Sequence, residues 1–188
     1  MKICAIAFTE KGQGWQEKLG FPVTRGVPVM QWAREAFADA DALLFIGACG
    51  IAVRAIAPHC KSKTTDPAVV VVDECGRFAV PLLSGHLGGA NDLARAIAAV
   101  CGAVPVITTA TDAHGIFAVD EWAKHQNCIV SEPERIKLVS GKLLAGQTVF
   151  YWVDFPVTGT APAGLCPADS PEKADLALTL CPTGQALH

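Results

Sequence analysis

A chain of 188 residues that is 51% hydrophobic but only 7% aromatic can fill a layered α/β core and lacks the aromatic content expected of a β-sandwich. Its net charge of −3, with no basic block, argues against duplex nucleic acid as a partner and leaves any anionic ligand to local positive groups. The eight cysteines (Cys4, Cys49, Cys60, Cys75, Cys101, Cys128, Cys166 and Cys181) form no Cys-x-x-Cys pair, and no histidine stands at finger spacing from them. That pattern argues against a zinc scaffold or a disulfide framework and for small core residues.

Taken in order, residues 2–8 read as a first strand. Thr9-Glu10-Lys11 closes this apolar run too early for a signal peptide or a membrane span, which points to a cytoplasmic protein. Gly12 to Gly26 reads as a loop. Val29, Trp32, Ala33, Ala36 and Phe37 recur at helical spacing within residues 27–40. Ala42 to Ile46 is a continuous apolar run of the kind buried in parallel sheets. It ends in a glycine turn, Gly47-Ala48-Cys49-Gly50. The helix that follows, Ile51 to Ala57, is stopped by Pro58 and is apolar all round except for Arg54. An arginine on a buried helix needs an anionic partner, either an internal carboxylate or a bound ligand.

His59 to Asp66 is polar and reads as a surface loop at the rim of a site. Val69 to Val72 and Phe78 to Val80 read as an antiparallel pair around a hairpin turn, Asp73-Glu74-Cys75-Gly76, which makes the sheet mixed. Next comes the stretch that draws most of the chemistry together, Pro81-Leu82-Leu83-Ser84-Gly85-His86-Leu87-Gly88-Gly89-Ala90-Asn91. A strand ends at Leu83 and a helix begins near Ala90, with three glycines, a hydroxyl, an imidazole and an amide on or beside the turn. Two readings are open: the glycines admit a ligand close to the backbone and a helix N-terminus, or they serve packing alone. Leu93, Ala94, Ile97, Ala98 and Cys101 mark a core helix face, with Asp92 and Arg95 as a solvated pair and Gly102 as terminator.

Val104 to Ile107 reads as a short edge strand because of Pro105. It leads into a third polar turn, Thr108 to Gly115, in which Asp112 is either a cap residue or a carboxylate that orients a base or a water. Beyond Phe117 come helices over 119–125 and 133–144 and strands over 148–154 and 174–180, with a segment over 128–130 and a Pro- and Gly-rich loop over 158–171 between them. The fold class implied is α/β. An open, mixed, mainly parallel sheet flanked by helices occupies residues 1–115, and a smaller α/β second part occupies 116–188.

Ligands of open α/β sheets bind beyond the carboxyl ends of the strands. If the three strands run the same way, the turns Gly47–Gly50, Ser84–Asn91 and Thr108–Asp112 meet on one edge. That edge would suit a molecule carrying several carboxylates. No Gly-x-Gly-x-x-Gly follows a strand, and neither a P-loop nor a Gly-x-Ser-x-Gly elbow is present, which disfavours the usual nucleotide sites and the nucleophile-elbow hydrolases.

The stretches Gly47–Pro58, Asp66–Asp73, Pro81–Asn91 and Val106–Asp112, in that order, resemble the CbiG family of cobalamin biosynthesis, and residues beyond 117 are similar to its middle region, without the family's usual C-terminal domain. The resemblance implies a cobalt-precorrin-5A hydrolase, which opens the δ-lactone of a cobalt-corrinoid substrate and releases acetaldehyde to give cobalt-precorrin-5B. Cobalt would be carried by the substrate, with no cofactor and no metal site of the protein's own. Catalysis would fall to His86 as general base, with Asp112 as its orienter or a second base and Ser84 in a hydrogen-bonding role or as nucleophile. Backbone N–H groups at Gly88–Ala90 would stabilise the oxyanion. Gly47, Gly50, Arg54, Gly85, Gly88, Gly89, Asn91, Thr108, Thr109 and Thr111 would contact substrate. The alternative is a non-catalytic corrinoid-binding module. Candidate protein partners are a C-terminal CbiG domain or a second copy of the chain, with neither nucleic acid nor membrane involved.

Overall fold

In the computed structural model, which describes residues 1–180, the two uninterrupted apolar runs become the centre of a sheet. The sheet comprises β1 (Ile3–Ala7), β2 (Val23–Thr24), β3 (Ala42–Ile46), β4 (Ala68–Val72), β5 (Phe78–Leu83) and β6 (Val104–Pro105), in the order β2-β1-β3-β4-β5-β6. Every residue of β3 and β4 is buried, and each of their Val, Leu, Ile and Phe side chains adds roughly 1.5–3 kcal/mol of hydrophobic stabilisation over exposure. Among the described residues, β4–β5 is the one antiparallel pairing of this sheet, so it is mixed and mainly parallel.

Helices cover both faces. On one lie α3 (Val29–Asp39) and α4 (Cys49–Ile56), where Ala33, Ala36, Ala52, Ala55 and Ile56 pack on Leu43, Phe45, Val69 and Val71. On the other lies α5 (Ala90–Cys101), whose Leu93, Ala94 and Ile97 meet Leu44, Val70 and Val72. Residues 12–26, expected as loop, hold part of α1 (Glu10–Gln13), all of α2 (Gln16–Leu19) and β2. None of these is long enough to display a period, and α2 is seated by Trp15 and Leu19 against the α5 face.

Two details of this sheet fix where its loops emerge. The hairpin after β4 turns at Gly76, whose φ is +66° and whose N–H donates to the Asp73 carbonyl at 2.7 Å. Pro81, lacking an N–H, sits in β5 beyond the short pairing with β6 and opposite an irregularity at Val69/Val70.

By internal contacts the chain divides into two compact units, Met1–Ile107 and Thr108–His188. The second contains α6 (Ala110–Ala113), α7 (Val119–His125), α8 (Ile136–Leu144) and an all-parallel sheet of β7 (Val149–Val153), β8 (Leu165–Pro167) and β9 (Leu176–Leu178), ordered β8-β7-β9. β8 lies inside the stretch expected to be loop; three residues ending in proline give no alternation, and pairing with β7 alone makes the strand. Seven cysteines are free thiols, and Cys181 lies outside the described residues. No described helix is long and apolar enough to cross a membrane.

Candidate functional site

The turn between β5 and α5 is locked from within. Ser84 takes a φ of +56°, rare for a residue with a side chain, and is buried with its hydroxyl donating to the Asp66 carbonyl at 2.9 Å. The N–H of Gly89 donates to the His86 carbonyl (2.9 Å), that of Ala90 to Ser84 (3.1 Å) and that of Asn91 to Gly85 (3.0 Å). The glycines fit because nothing larger would. A β-carbon on Gly88 would lie 2.3 Å from Ser84 Cβ, and one on Gly85 would lie 2.9 Å from Asn91 Oδ1. Gly89 has a φ of +86°, and Asn91 is only 1% exposed. His86 sits half-buried on this turn.

These bonds bear on two of the three N–H groups expected to stabilise an oxyanion. The N–H groups of Gly89 and Ala90 already serve the turn, so they are not free to receive an oxyanion. Ser84 likewise has its hydroxyl proton committed to a backbone carbonyl, which fits a hydrogen-bonding role better than a nucleophilic one.

Across from Ser84 the loop before β4 is held as tightly. The buried Asp66 accepts from the N–H groups of Lys61 (2.8 Å) and Ser62 (3.1 Å) through Oδ2 while its carbonyl receives Ser84. Partial desolvation, and after it the Asp66 carboxylate, pushes the Cys60 thiol above its ordinary range. The polar composition around Asp66 suggests only the end of a surface loop. Its position directly before Pro67 and a fully buried strand is the signal that points to burial.

The direction of β5 overturns an expectation. Leu83 pairs with Val69, and Val69 with Leu43, whereas Ile46 pairs with Val72. Ser84 therefore leaves the sheet at the edge where β3 and β4 begin, and Gly47 leaves at the edge where they end. The Gly47–Gly50 turn and the Ser84–Asn91 turn do not share an edge, because the hairpin reverses β5.

At the edge of Gly47, the Gly47 N–H donates to the Val72 carbonyl at 2.8 Å and a β-carbon would strike the Phe8 ring at 2.8 Å. Helix α4 is not apolar all round in its setting. Ala52, Ala55 and Ile56 face inward while Val53 and Arg54 are exposed, and Arg54 donates to the Gly50 carbonyl at 3.0 Å. Its charge is in water and demands no buried partner. Nearby, Asp73 accepts from the N–H groups of Cys75, Arg77 and Phe78. Desolvation pushes the Asp73 carboxyl up, but the backbone bonds from Phe78, Arg77 and Cys75, with the Arg77 side chain, outweigh it and hold the group below the usual carboxylate range.

Within the second unit, Thr109 donates its hydroxyl to the Asp112 carboxylate across the first turn of α6, Thr111 is buried and Thr108 is exposed.

Fold and site together define an α/β protein in which one sheet edge carries a rigid strand–turn–helix with a histidine on it, latched to the loop before β4. Two family models match in sequence order, cobalamin synthesis G N-terminal over residues 31–112 and cobalamin biosynthesis central region over residues 117–182. The chain belongs to the CbiG family. It is 49% identical over 127 residues to a cobalt-precorrin-5A hydrolase of Salmonella typhimurium, a match covering 67% of this chain and 36% of the relative. To a cobalt-precorrin-5A hydrolase of Priestia megaterium it is 43% identical over 113 residues, covering 60% and 30%. The crystal structure of a cobalamin biosynthesis protein G homolog from Sulfolobus solfataricus superposes with a TM-score of 0.57 at 26% identity, covering 96% of this chain and 60% of that one. The matches thus span about a third of the length of these two curated relatives.

Proposed function

We propose that the chain acts in cobalamin biosynthesis as a hydrolase that opens the δ-lactone of cobalt-precorrin-5A and releases acetaldehyde to give cobalt-precorrin-5B. The observation that carries this reading is the ordered match to both CbiG regions, together with 49% identity to a relative of that name. In this reading His86 takes a proton from water as the water oxygen adds to the lactone carbonyl, and the ring C–O bond breaks to leave a carboxylate and a hydroxyl. Deprotonation of the freed hydroxyl then breaks the adjacent C–C bond. The carbonyl fragment leaves as acetaldehyde, and the electron pair left on the macrocycle is protonated. Asp112 is proposed as a second acid–base group, oriented within its own unit by the Thr109 hydroxyl. Cobalt arrives in the substrate, no separate cofactor is invoked, and the reaction is placed in the cytoplasm.

Incubating the purified chain with cobalt-precorrin-5A and trapping acetaldehyde tests the activity. His86→Gln is expected to slow release by about 10²–10⁴-fold, and a change within about twofold would remove the base assignment. A second reading is favoured by the span of the matches, about a third of each relative. Here the chain binds the corrinoid and the chemistry belongs to parts of the relatives outside the match. Substrate binding without acetaldehyde would select it.

A further inference from the structure

A groove of about 470 Å³ opens beside the latched loop of the first unit. Arg34 and Phe37 of α3, Pro58 and His59 of the turn after α4, and Lys61 and Asp66 of the loop line it. Two of these groups, Arg34 and Lys61, are exposed cations that share one groove. Lys2, Arg25, Arg77 and Arg95 are paired with carboxylates; among the described residues no carboxylate pairs with Arg34 or Lys61, nor with Lys11, Lys18, Arg54 or Lys63, and of these six only Arg34 and Lys61 line the groove. The one acid on the wall, Asp66, gives Oδ2 to the N–H groups of Lys61 and Ser62 and so shapes the loop instead of neutralising a side chain.

The walls also bear on the frame that would carry the anion. α3 and α4 both present their C-terminal ends on the side where β3 and β4 begin, which disfavours any anion there, so the attraction rests on the side chains. A guanidinium offers a planar fork that matches carboxylate and phosphate alike, so the choice of carboxylate rests on the apolar surface beside it. Phe37, tilted against the His59 ring with centroids 5.9 Å apart, and Pro58 supply an apolar surface in the same groove. That combination fits several carboxylates carried on an apolar frame.

We propose that this groove is a polycarboxylate subsite, in which Arg34 and Lys61 take the acid arms of the ligand and Phe37 and Pro58 seat its frame. Naming that ligand a corrinoid with acetate and propionate arms rests on the hydrolase reading; the charge class does not. The subsite lies on the loop whose Asp66 holds Ser84, so it would anchor substrate at the edge where His86 sits and contribute to specificity.

The test is calorimetric titration of the full chain with cobyrinic acid, with its heptamethyl ester, which keeps the ring and loses the charge, and with mellitate as a carboxylate cluster without a corrin. The Arg34→Ala/Lys61→Ala double variant removes two exposed charges, and Arg25→Ala is the surface-charge control. Circular dichroism checks that each variant folds. We expect cobyrinic acid to bind, the ester to bind far more weakly, and the double variant to lose about thirtyfold or more in affinity while Arg25→Ala stays within about twofold. Binding by the double variant within about twofold of the parent, or an equal loss in Arg25→Ala, would overturn the subsite. Binding of mellitate alone, with the same loss in the double variant, would uphold it and sink the corrinoid reading. Failure of every probe to bind would overturn the subsite and leave the hydrolase reading to the acetaldehyde assay.

Discussion

Replacing Gly88 with alanine tests whether the turn after β5 is held by its own packing. The new β-carbon would stand 2.3 Å from Ser84 Cβ and 2.8 Å from the Ser84 carbonyl oxygen. Neither atom belongs to a flexible side-chain end that could swing away. Ser84 already occupies a left-handed conformation, which costs an L-residue roughly 1–2 kcal/mol, and its hydroxyl is fixed to Asp66. The turn itself must move, at about 1–3 kcal/mol for overpacking. That movement strains the bonds from Gly89 to His86 and from Ala90 to Ser84, worth about 1 kcal/mol each. Gly88→Ala should therefore lower stability by about 2–4 kcal/mol, read from the urea midpoint at unchanged slope. Ser84→Gly deletes the nearest clashing atom, so in that background the same substitution should cost about 1 kcal/mol less. A loss below about 0.5 kcal/mol for Gly88→Ala alone would refute the view that close contact inside the turn dictates its glycines.

The same geometry sets three further outcomes. The depressed pKa of Asp73 contributes stability above the unfolded carboxylate value of about 3.9 that is lost as pH falls through the folded value; Asp73→Asn should make the acid limb of a stability–pH curve shallower. Arg54→Ala should change stability by no more than about 0.5 kcal/mol in thermal melts, because its charge is solvated; a loss of several kcal/mol would restore a buried ion pair. Asp66→Ala leaves the Lys61 and Ser62 N–H groups without their acceptor and should cost about 1–3 kcal/mol, with faster amide exchange at both positions as the local readout.

Much of the first unit could be read from residues alone. β3 and β4 are uninterrupted apolar runs, α3 and α5 carry a clear 3.6 period, and Gly102 ends α5 in the left-handed region as its type suggests. What escaped was short: β2 has two residues and β8 three, so pairing, not pattern, defines them. The site was legible as a glycine turn with chemistry on it, but not as an assembly. An antiparallel hairpin at Asp73–Gly76 and three turns on one edge are incompatible once β4 runs parallel to β3, and the hairpin prevails. The burial of Asp66 escaped for the same reason, since its partner Ser84 arrives only because β5 doubles back.

That doubling back also bears on the chain entropy lost in folding. Ser84 and Asp66 are separated by 18 positions, while the contact that brings the chain start to the beginning of β3, from Lys2 to Asp41, spans 39. Shorter closures sacrifice less chain entropy and are reached sooner. The latch beside His86 therefore closes at a smaller entropic cost than the docking of the amino-terminal strand on β3.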